Sequence, residues 1–415
     1  MAFEREVVSE IVKGLKRTKP LLQVLTGPRQ VGKTTAAEQV ARRIGWPTHT
    51  ASADAPLPHP PEWIETQWRL ARSKAKSGKA KSGKAKSGKA KSGKAKNCAS
   101  RVLLVLDEIQ KVPGWSEVVK RHWDEEVRTG GAVRVLLLGS SALLVQRGLT
   151  ESLAGRFFLH RCPHWSWPEC REAFDWNLER WIYFGGYPGA AEFVDDEPAW
   201  KRYVADSLIE TVLARDVLQM QNIAKPALLR HLFLLATQFP AQILSYNKML
   251  GQLQDAGNTV TLAGYLRLLE TAFLISGLEL YSKGQARKRG SSPKLVLWNN
   301  ALVNATSLMT FEQVFSDGQR WGRLVENAVG AHLLNDLQGA AWAVAYWRDG
   351  AAEVDYVVSH GTRTWAMEVK SGRGGRTSGS TAFRKLYPRS RFWLLGETGL
   401  PLADFFSSPA QEWFE

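Results

Sequence analysis

The sequence predicts an α/β fold with more than one domain, and two patterns carry this prediction. Near the amino terminus, an apolar run at 21–25 leads into a glycine-containing loop at 27–34, and a segment with helical spacing follows. Toward the carboxyl terminus, a helix precedes three strand-like segments, a short helix and a further strand. A chain of 415 residues is long enough for roughly two to four domains with separate cores.

The first element is an amphipathic helix at residues 3–15. Its apolar side chains recur at helical spacing on one stripe, which we expect to pack beside a sheet. The residues of this stripe are Phe3, Val7, Val8, Ile11, Val12 and Leu15.

The loop at 27–34 reads Gly-Pro-Arg-Gln-Val-Gly-Lys-Thr and matches the pattern of a phosphate-binding loop. Between a strand and a helix, its backbone N–H groups and the positive end of the helix dipole point at the same phosphates. We expect Lys33 to neutralise the phosphates of ATP and the Thr34 hydroxyl to bind Mg²⁺. The predicted nucleotide-binding residues of this segment are Gly27, Pro28, Arg29, Gln30, Val31, Gly32, Lys33, Thr34 and Thr35.

A second apolar strand at 102–106 ends in two carboxylates, which is the form of a Walker B strand. We expect Asp107 to hold the hydrated Mg²⁺ and Glu108 to orient or deprotonate the attacking water. The alternative is that the two acids simply terminate a strand.

Two further residues are candidates for the same site. The apolar run 133–138 ends in Gly-Ser-Ser, and the carboxyl ends of parallel strands line the ligand crevice, so Ser140 is expected near the γ-phosphate. Arg156 is a candidate for contacting the γ-phosphate, in its own subunit or in a neighbouring one. Its alternative is a salt bridge at a helix end.

Most of the basic charge lies in one insert. The net charge is +15, but 73–96 carry ten lysines and no acid, which leaves 45 basic against 40 acidic residues elsewhere. Four copies of Ser-Gly-Lys-Ala-Lys fill 77–96, so we expect 73–97 to be disordered. The insert is either a polybasic arm for nucleic acid or a repeat expansion without a task. Its own G-x-x-x-x-G-K match at 78–84 lacks the hydroxyl residue and a preceding strand.

Composition excludes several other classes of protein. The three cysteines, Cys98, Cys162 and Cys170, have no metal-ligand spacing and do not suggest a disulfide framework. No apolar run is long enough to cross a bilayer, and the first residues do not resemble a secretory signal. We therefore expect a cytoplasmic protein without a membrane partner.

The middle of the chain is predicted to be helical and then to contain a helix-turn-helix. Segments 244–253 and 259–275 read as two helices joined by a polar turn, and a return strand at 295–298 follows a basic loop. This order is typical of a winged helix whose wing either contacts DNA or is merely solvated, as in modules that bind proteins. The basic residues of this loop are Lys283, Arg287, Lys288, Arg289 and Lys294.

The last third of the chain carries a second constellation. Helix 323–334, with Glu326 near its start, precedes strands that contain Asp355 and Glu368-Val-Lys370. Because side chains alternate along a strand, Glu368 and Lys370 share one face, and Asp355 joins them if its strand is the neighbour. Two carboxylates could then hold Mg²⁺, with Lys370 as the catalytic residue that positions or deprotonates water.

Taken together, these motifs resemble a family of prokaryotic AAA+-type ATPases whose C-terminal domain of unknown function combines a winged helix with a PD-(D/E)XK nuclease-like tail. The resemblance implies ATP binding at 27–34 and a nuclease-like fold around Asp355, Glu368 and Lys370. This chain has Asn299-Asn300 where the family tends to show an aspartate. The motifs that carry the resemblance are 27–35, 106–110, 139–141, 152–156, 185–188, 353–356 and 368–371.

The expected architecture has four parts. A P-loop AAA+-like parallel-sheet domain covers 1–168, a helical lid 169–240, a winged-helix-like region 241–310 and an α/β restriction-endonuclease-like domain 311–415. The leading hypothesis is an ATPase, using ATP and Mg²⁺, whose nucleotide state controls a nucleic-acid-directed module with metal-dependent nuclease activity as an option. The alternative is a nucleotide-dependent switch or scaffold that recruits a protein partner, and a homo-oligomer is compatible with both. A small-molecule kinase is disfavoured because the Asp-Glu pair suits activating water rather than excluding it.

Overall fold

The computed structural model describes the chain in two compact units, Met1–Cys162 and Pro163–Glu415. The described residues are 3–84, 101–140, 148–149, 151–217, 223–253, 257–282, 291–339, 341–370 and 378–415.

The first unit is a parallel sheet covered by helices. Its five strands are β1 (Leu22–Thr26), β2 (Thr48–Ser52), β3 (Val102–Asp107), β4 (Val133–Gly139) and β5 (Phe157–Arg161). Its helices are α1 (Glu6–Leu15), α2 (Lys33–Ile44), α3 (Glu62–Lys84) and α4 (Trp115–Thr129).

The strand order β2-β3-β4-β1-β5 places β4 between the strand that precedes the loop 27–34 and the strand that ends at Asp107. All four pairings are parallel, and Thr26 lies opposite Gly139. Strands β1 and β4 are buried along almost their whole length, as expected of the centre of a parallel sheet with both faces covered. The carboxyl ends of β1, β3 and β4 therefore meet at one edge.

Helix α3 extends further than the sequence pattern predicts. It continues from 62–72 through Lys84 and so includes the start of the repeat, which corrects the expectation that the insert is irregular from residue 73 onward. Lysine and alanine favour helix, and isolated glycines cost only about 1 kcal/mol each in a helix that is already anchored. The anchors are the buried side chains of Ile64, Trp68, Ala71 and Ala75. Residues 85–97 of the insert, with Ala85, lie outside the described residues.

The second unit begins with short helices. These are α5 (Trp167–Phe174), α6 (Leu178–Phe184) and α7 (Glu197–Arg202), and two π-helical segments, Tyr203–Ile209 and Val212–Val217, continue from α7. The pair Gly185-Gly186 ends α6. A Cβ atom on Gly185 would lie 1.8 Å from Asn299 Oδ1, and one on Gly186 would lie 2.0 Å from the Trp165 carbonyl, so only glycine fits at either position.

A helical layer and a small antiparallel sheet follow. The helices are α8 (Pro226–Gln238), α9 (Tyr246–Gln252) and α10 (Thr259–Thr271), and the strands are β6 (Gln242–Ile243), β7 (Ile275–Leu278) and β8 (Lys294–Leu297), in the order β6-β8-β7. The predicted helix 259–275 is shorter because Phe273 adopts a left-handed conformation, with φ 58°, and Ile275 already begins β7.

The last part of the second unit packs helices on a four-stranded sheet of order β12-β11-β10-β9. The strands are β9 (Trp342–Asp349), β10 (Ala352–His360), β11 (Arg363–Val369) and β12 (Arg391–Leu395). The helices are α11 (Ala301–Asn304), α12 (Phe311–Ser316), α13 (Gly318–Asp336), α14 (Ser378–Leu386), α15 (Leu402–Ser407) and α16 (Ala410–Trp413). Strands β9, β10 and β11 pair antiparallel, whereas β12 pairs parallel to β11.

Within the described ranges, no helix combines the length and the apolar character needed to cross a membrane.

Candidate functional site

The loop 27–34 curves tightly between β1 and α2. Gln30 and Gly32 adopt left-handed conformations, with φ 59° and 88°, and Gly32 is the N-cap of α2. A Cβ atom on Gly27 would lie 2.0 Å from the Cys162 carbonyl, so the neighbouring end of β5 requires glycine there. This backbone places the amino end of α2 at the edge of the sheet where β1 ends.

Lys33 lies inside the curve of the loop. Its ammonium donates hydrogen bonds to the carbonyls of Gly27 (3.0 Å) and Pro28 (2.5 Å), and only 7 % of the residue is exposed. Burial lowers the pKa of Lys33, although the charges of Glu108 and Asp107 oppose this effect. A buried cation beside a helix amino terminus attracts anions such as phosphate.

The two predicted Mg²⁺ ligands of this site are neighbours. Thr34 Oγ1 donates to Asp107 Oδ2 at 3.0 Å, so the hydroxyl and the carboxylate face each other across the sheet edge. Burial raises the pKa of Asp107, although the hydrogen bond from Thr34 and the charge of Lys33 oppose this effect. A hydroxyl and a carboxylate are oxygen ligands of the kind that Mg²⁺ takes beside nucleotide phosphates, so these residues fit the ion.

Glu108 is held in place by two side chains. Its Oε2 accepts hydrogen bonds from Ser140 Oγ (2.9 Å) and from Gln110 Nε2 (2.5 Å). Ser140 follows β4, the strand between β1 and β3, and therefore lies between the loop and the carboxylates. Ser141 lies outside the described residues. The sequence analysis gave Gln110 no role of its own, although it is the last residue of the motif 106–110.

Arg156 lies at the opposite edge of the sheet. Its carbonyl accepts a hydrogen bond from Leu22 N, at the start of β1, whereas the loop 27–34 follows the end of β1. Its guanidinium forms two hydrogen bonds with Asp124 of α4, at 2.8 and 3.1 Å. The structure therefore places Arg156 at the amino end of β1, away from the loop at its carboxyl end, and does not show the expected contact with the γ-phosphate site of the same subunit. A role in a neighbouring subunit stays a prediction.

The structure brings together the predicted residues of the second constellation. Tyr356 pairs with Met367 in antiparallel register, so Asp355 and Glu368 lie on neighbouring strands. Asp355 Oδ2 accepts a hydrogen bond from Val369 N at 2.8 Å, and Lys370 Nζ lies 2.7 Å from Glu368 Oε1.

Lys294 belongs to this second constellation and not to the basic loop. It is the first residue of β8 and its exposed fraction is 0 %, which corrects its assignment to the basic loop of the predicted wing. Its ammonium lies 2.6 Å from Glu326 Oε1, 3.6 Å from Asp355 Oδ1 and 3.8 Å from Glu353 Oε1. Burial lowers its pKa, but the charges of Glu326 and Asp355 outweigh this and raise the pKa above the ordinary value. We call Glu326, Glu353, Asp355 and Glu368 the carboxylate cluster.

The carboxylate cluster does not fit a divalent metal ion. In the part of the chain that the structure describes, no group of three or more acidic, histidine or cysteine side chains is placed to hold one. Glu368 Oε2 and Glu326 Oε1 are both buried without a hydrogen-bond partner among the described residues, although Lys294 Nζ lies 2.6 Å from Glu326 Oε1 and pairs with its charge. The carboxylates that could supply oxygens to Mg²⁺ already face the cations Lys294, Arg323 and Lys370. The expectation that Asp355 and Glu368 are metal ligands therefore conflicts with the observed contacts.

The asparagines near β8 are structural. Asn300 Nδ2 donates to the carbonyls of Ile182 and Leu324, and its Oδ1 accepts from Asn327 Nδ2 at 2.7 Å. Asn299 Oδ1 accepts from Ala301 N. The predicted basic residues Lys283, Arg287, Lys288 and Arg289 lie outside the described residues.

Three family models match consecutive parts of the chain. Residues 19–170 match the model described as AAA domain, residues 175–313 match a domain of unknown function (DUF8612), and residues 321–402 match another (DUF4143). No curated protein matches the chain.

Solved structures with partial likeness include three from prokaryotes. The Walker-type ATPase PABY2304 of Pyrococcus abyssi has a TM-score of 0.49 and 14 % identity, over 74 % of this chain and 96 % of that chain. The Aeropyrum pernix ORC1 protein in complex with DNA has a TM-score of 0.29 and 16 % identity, over 72 % and 91 %. The Thermotoga maritima RuvB Holliday junction branch migration motor has a TM-score of 0.32 and 16 % identity, over 69 % and 92 %. Likeness at this level carries no functional conclusion.

Proposed function

We propose, from the premise that residues 19–170 form an AAA-type P-loop domain, that the protein hydrolyses ATP with Mg²⁺. One observation carries the proposal: the loop lysine, the Thr34–Asp107 pair and Glu108 stand at the carboxyl ends of β1 and β3, the two strands that flank β4. In the same proposal, the nucleotide state controls the second unit of the chain.

Different residues of the chain have different roles in the proposed hydrolysis. The loop amides and Lys33 bind the phosphates, and Thr34 and Asp107 hold the Mg²⁺, which neutralises charge on the phosphate oxygens. Glu108 accepts the proton of the attacking water or orients it. Ser140 and Gln110 restrict the carboxylate of Glu108 to one orientation, which positions it for this role.

Two variants test ATP hydrolysis. We expect Lys33→Ala to lose ATP binding and phosphate release together, because it removes the cation that pairs with the phosphates. We expect Glu108→Gln to retain ATP binding and to lower phosphate release by about 100-fold or more, as removal of a general base does. Phosphate release and equilibrium binding of a fluorescent ATP analogue measure the two effects.

Exposed residues of the same types provide the controls. Glu38→Gln on α2 and Lys13→Ala on α1 change exposed side chains and should leave both readouts unchanged. Normal phosphate release by both Lys33→Ala and Glu108→Gln would reject the proposal.

For the second unit, we propose a nucleic-acid-directed module of the winged-helix type. The order α8, β6, α9, α10, β7, β8 and the antiparallel pairing of β7 with β8 support this interpretation. The loop between these two strands contains the basic residues that would contact phosphates. The alternative, a scaffold that binds a protein partner through the same module, predicts no dependence on those basic residues. A cytoplasmic location and self-association remain proposals from the sequence.

A further inference from the structure

We infer that the nuclease-like module is closed by an internal cation: Lys294 supplies to Glu326 and Asp355 the positive charge that a divalent metal would otherwise bring. The module then neither holds Mg²⁺ nor cleaves nucleic acid. This inference is independent of ATP hydrolysis in the first unit.

The position of Lys294 is the first argument. A lysine is almost never fully buried unless its charge is paired, and this one has no exposed surface. Its ammonium donates to the Asp355 carbonyl at 3.0 Å, lies 2.6 Å from Glu326 Oε1 and sits 4.8 Å from the centre of the Tyr356 ring. These contacts fix the ammonium on the cluster side of β10.

The carboxylate oxygens are the second argument. Both oxygens of Glu326 face cations, since Oε1 contacts Lys294 and Oε2 accepts from Arg323 at 3.0 Å. Asp355 offers Oδ1 to Lys294 and Oδ2 to the Val369 N–H. A metal ion at these oxygens would meet the positive charge of Lys294 and Arg323, which already pairs with the same carboxylates.

Charge balance is the third argument. Four carboxylates, Glu326, Glu353, Asp355 and Glu368, face three cations, Lys294, Arg323 and Lys370. The cluster therefore carries little excess negative charge, and a doubly charged ion gains less from it than from an unpaired set of acids.

Helix α13 packs closely on β8 and β10, and this packing holds Lys294 next to the carboxylate cluster. A Cβ atom on Gly330 would lie 2.5 Å from Tyr356 Oη and 2.8 Å from Val296 Cγ1, so glycine lets α13 pack directly on β8 and β10. Tyr356 Oη donates to the Glu326 carbonyl at 2.7 Å. Lys294 thus ties β8 to the helix and strand that carry the cluster.

Binding of Mn²⁺ to the nucleotide-free full chain tests the inference. We expect wild type and Asp355→Asn to bind the same number of Mn²⁺ ions, measured by the electron paramagnetic resonance signal of free Mn²⁺. Both proteins have the same nucleotide site, so a difference between them reports the carboxylate cluster alone. One ion fewer in Asp355→Asn would overturn the inference.

Removal of the ammonium is the complementary experiment. We expect Lys294→Met to gain one Mn²⁺ site and Lys294→Met/Asp355→Asn to lose it again, whereas Lys294→Arg retains a cation and gains none. A folded Lys294→Met protein with no additional Mn²⁺ would refute the role of the ammonium. If Lys294→Met does not fold, the wild-type comparison decides.

Plasmid nicking gives an independent readout on the wild type. We expect the wild type and Asp355→Ala to leave supercoiled plasmid intact in Mn²⁺, at equal rates. Nicking by the wild type that Asp355→Ala abolishes would also overturn the inference. Neither assay contains ATP, so failure here leaves ATP hydrolysis untouched, and failure of the Lys33→Ala and Glu108→Gln tests leaves this inference standing.

Discussion

Glu108 shows at the residue scale how the backbone and neighbouring side chains hold a carboxylate for which we propose a catalytic role. Its φ of 51° places a non-glycine residue in the left-handed region, a conformation that costs on the order of 1 kcal/mol or more and is common at functional sites. The backbone N–H of Glu108 donates to Asp107 Oδ1 at 2.8 Å, while its side chain accepts from Gln110 and Ser140. The two acids are therefore held in different directions, which suits their different roles.

Gln110 is the residue whose removal tests this arrangement. We expect Gln110→Ala to lower kcat for ATP hydrolysis by about tenfold with ATP affinity nearly unchanged, because a hydrogen bond to a charged group contributes about 1.5 kcal/mol or more. Steady-state kinetics and equilibrium nucleotide binding separate the two quantities. Gln319→Ala, at an exposed position of the second unit, is the control. A kcat equal to that of wild type would show that Gln110 does not position Glu108.

At the scale of elements, helix α3 explains how the fold tolerates the lysine-rich repeat. Arg72 pairs with Glu125 and Glu126 of α4 at 2.9 and 2.5 Å, and Trp68 Nε1 donates to Glu126 Oε1 at 3.2 Å. The α3 residues that make these interactions, and the buried side chains of α3 up to Ala75, all lie before the first repeat copy, which begins at residue 77. The repeat therefore extends a helix that is already anchored.

Deletion of 77–96 tests whether the part of α3 before the repeat is enough to anchor the helix. We expect the deleted protein to hydrolyse ATP at the wild-type rate and to unfold at the same urea concentration, because the anchoring side chains remain. In contrast, Trp68→Ala should lower the free energy of unfolding by about 3–5 kcal/mol, since it empties a buried site. Leu57→Ala, at a position that is 79 % exposed, is the neutral comparison. A deleted protein that is folded but inactive would assign the repeat a role in the nucleotide cycle.

At the scale of the whole molecule, net charge gives a misleading impression of the surface. The repeat carries much of the excess of +15, and Lys294 is buried in an ion pair, so neither indicates a basic face. The candidate residues for binding phosphate groups of DNA are thus narrowed to Lys283, Arg287, Lys288 and Arg289.

The salt dependence of DNA binding tests whether these four residues contact DNA phosphates. We expect the DNA affinity of the wild type to fall steeply with salt, because each neutralised phosphate releases condensed counterions. Replacement of these four residues by alanine should reduce the slope by about one for each phosphate that the protein no longer neutralises. The protein that lacks 77–96 is the matched control for a reduced basic charge and should keep the wild-type slope. Weak affinity that hardly depends on salt in all three proteins would favour the scaffold that binds a protein partner.

Local patterns predicted a large part of the fold and of the nucleotide site. The strand, loop and helix around 27–34 follow each other directly in sequence, and the apolar run before Asp107 could only be a buried strand, so both were readable without tertiary information. Side-chain alternation, a local property, predicted that Glu368 and Lys370 share one face, whereas the structure supplied the strand pairing that brings Asp355 beside Glu368. Helix ends were less predictable, as Phe273 and Lys84 show, because packing decides where a helix stops.

The sequence by itself determined the candidate residues for phosphate and Mg²⁺ in the loop 27–34 and at Asp107, since those motifs depend on spacing along the chain. Only the tertiary structure decided that Arg156 lies away from its own loop, that Gln110 contacts Glu108, and that Lys294 neutralises Glu326 and Asp355. These assignments depend on which elements, distant in sequence, become neighbours in the fold and on which charged side chains are buried next to one another. No periodicity in the chain encodes that choice, because burial converts a basic residue from a surface charge into an internal counter-ion.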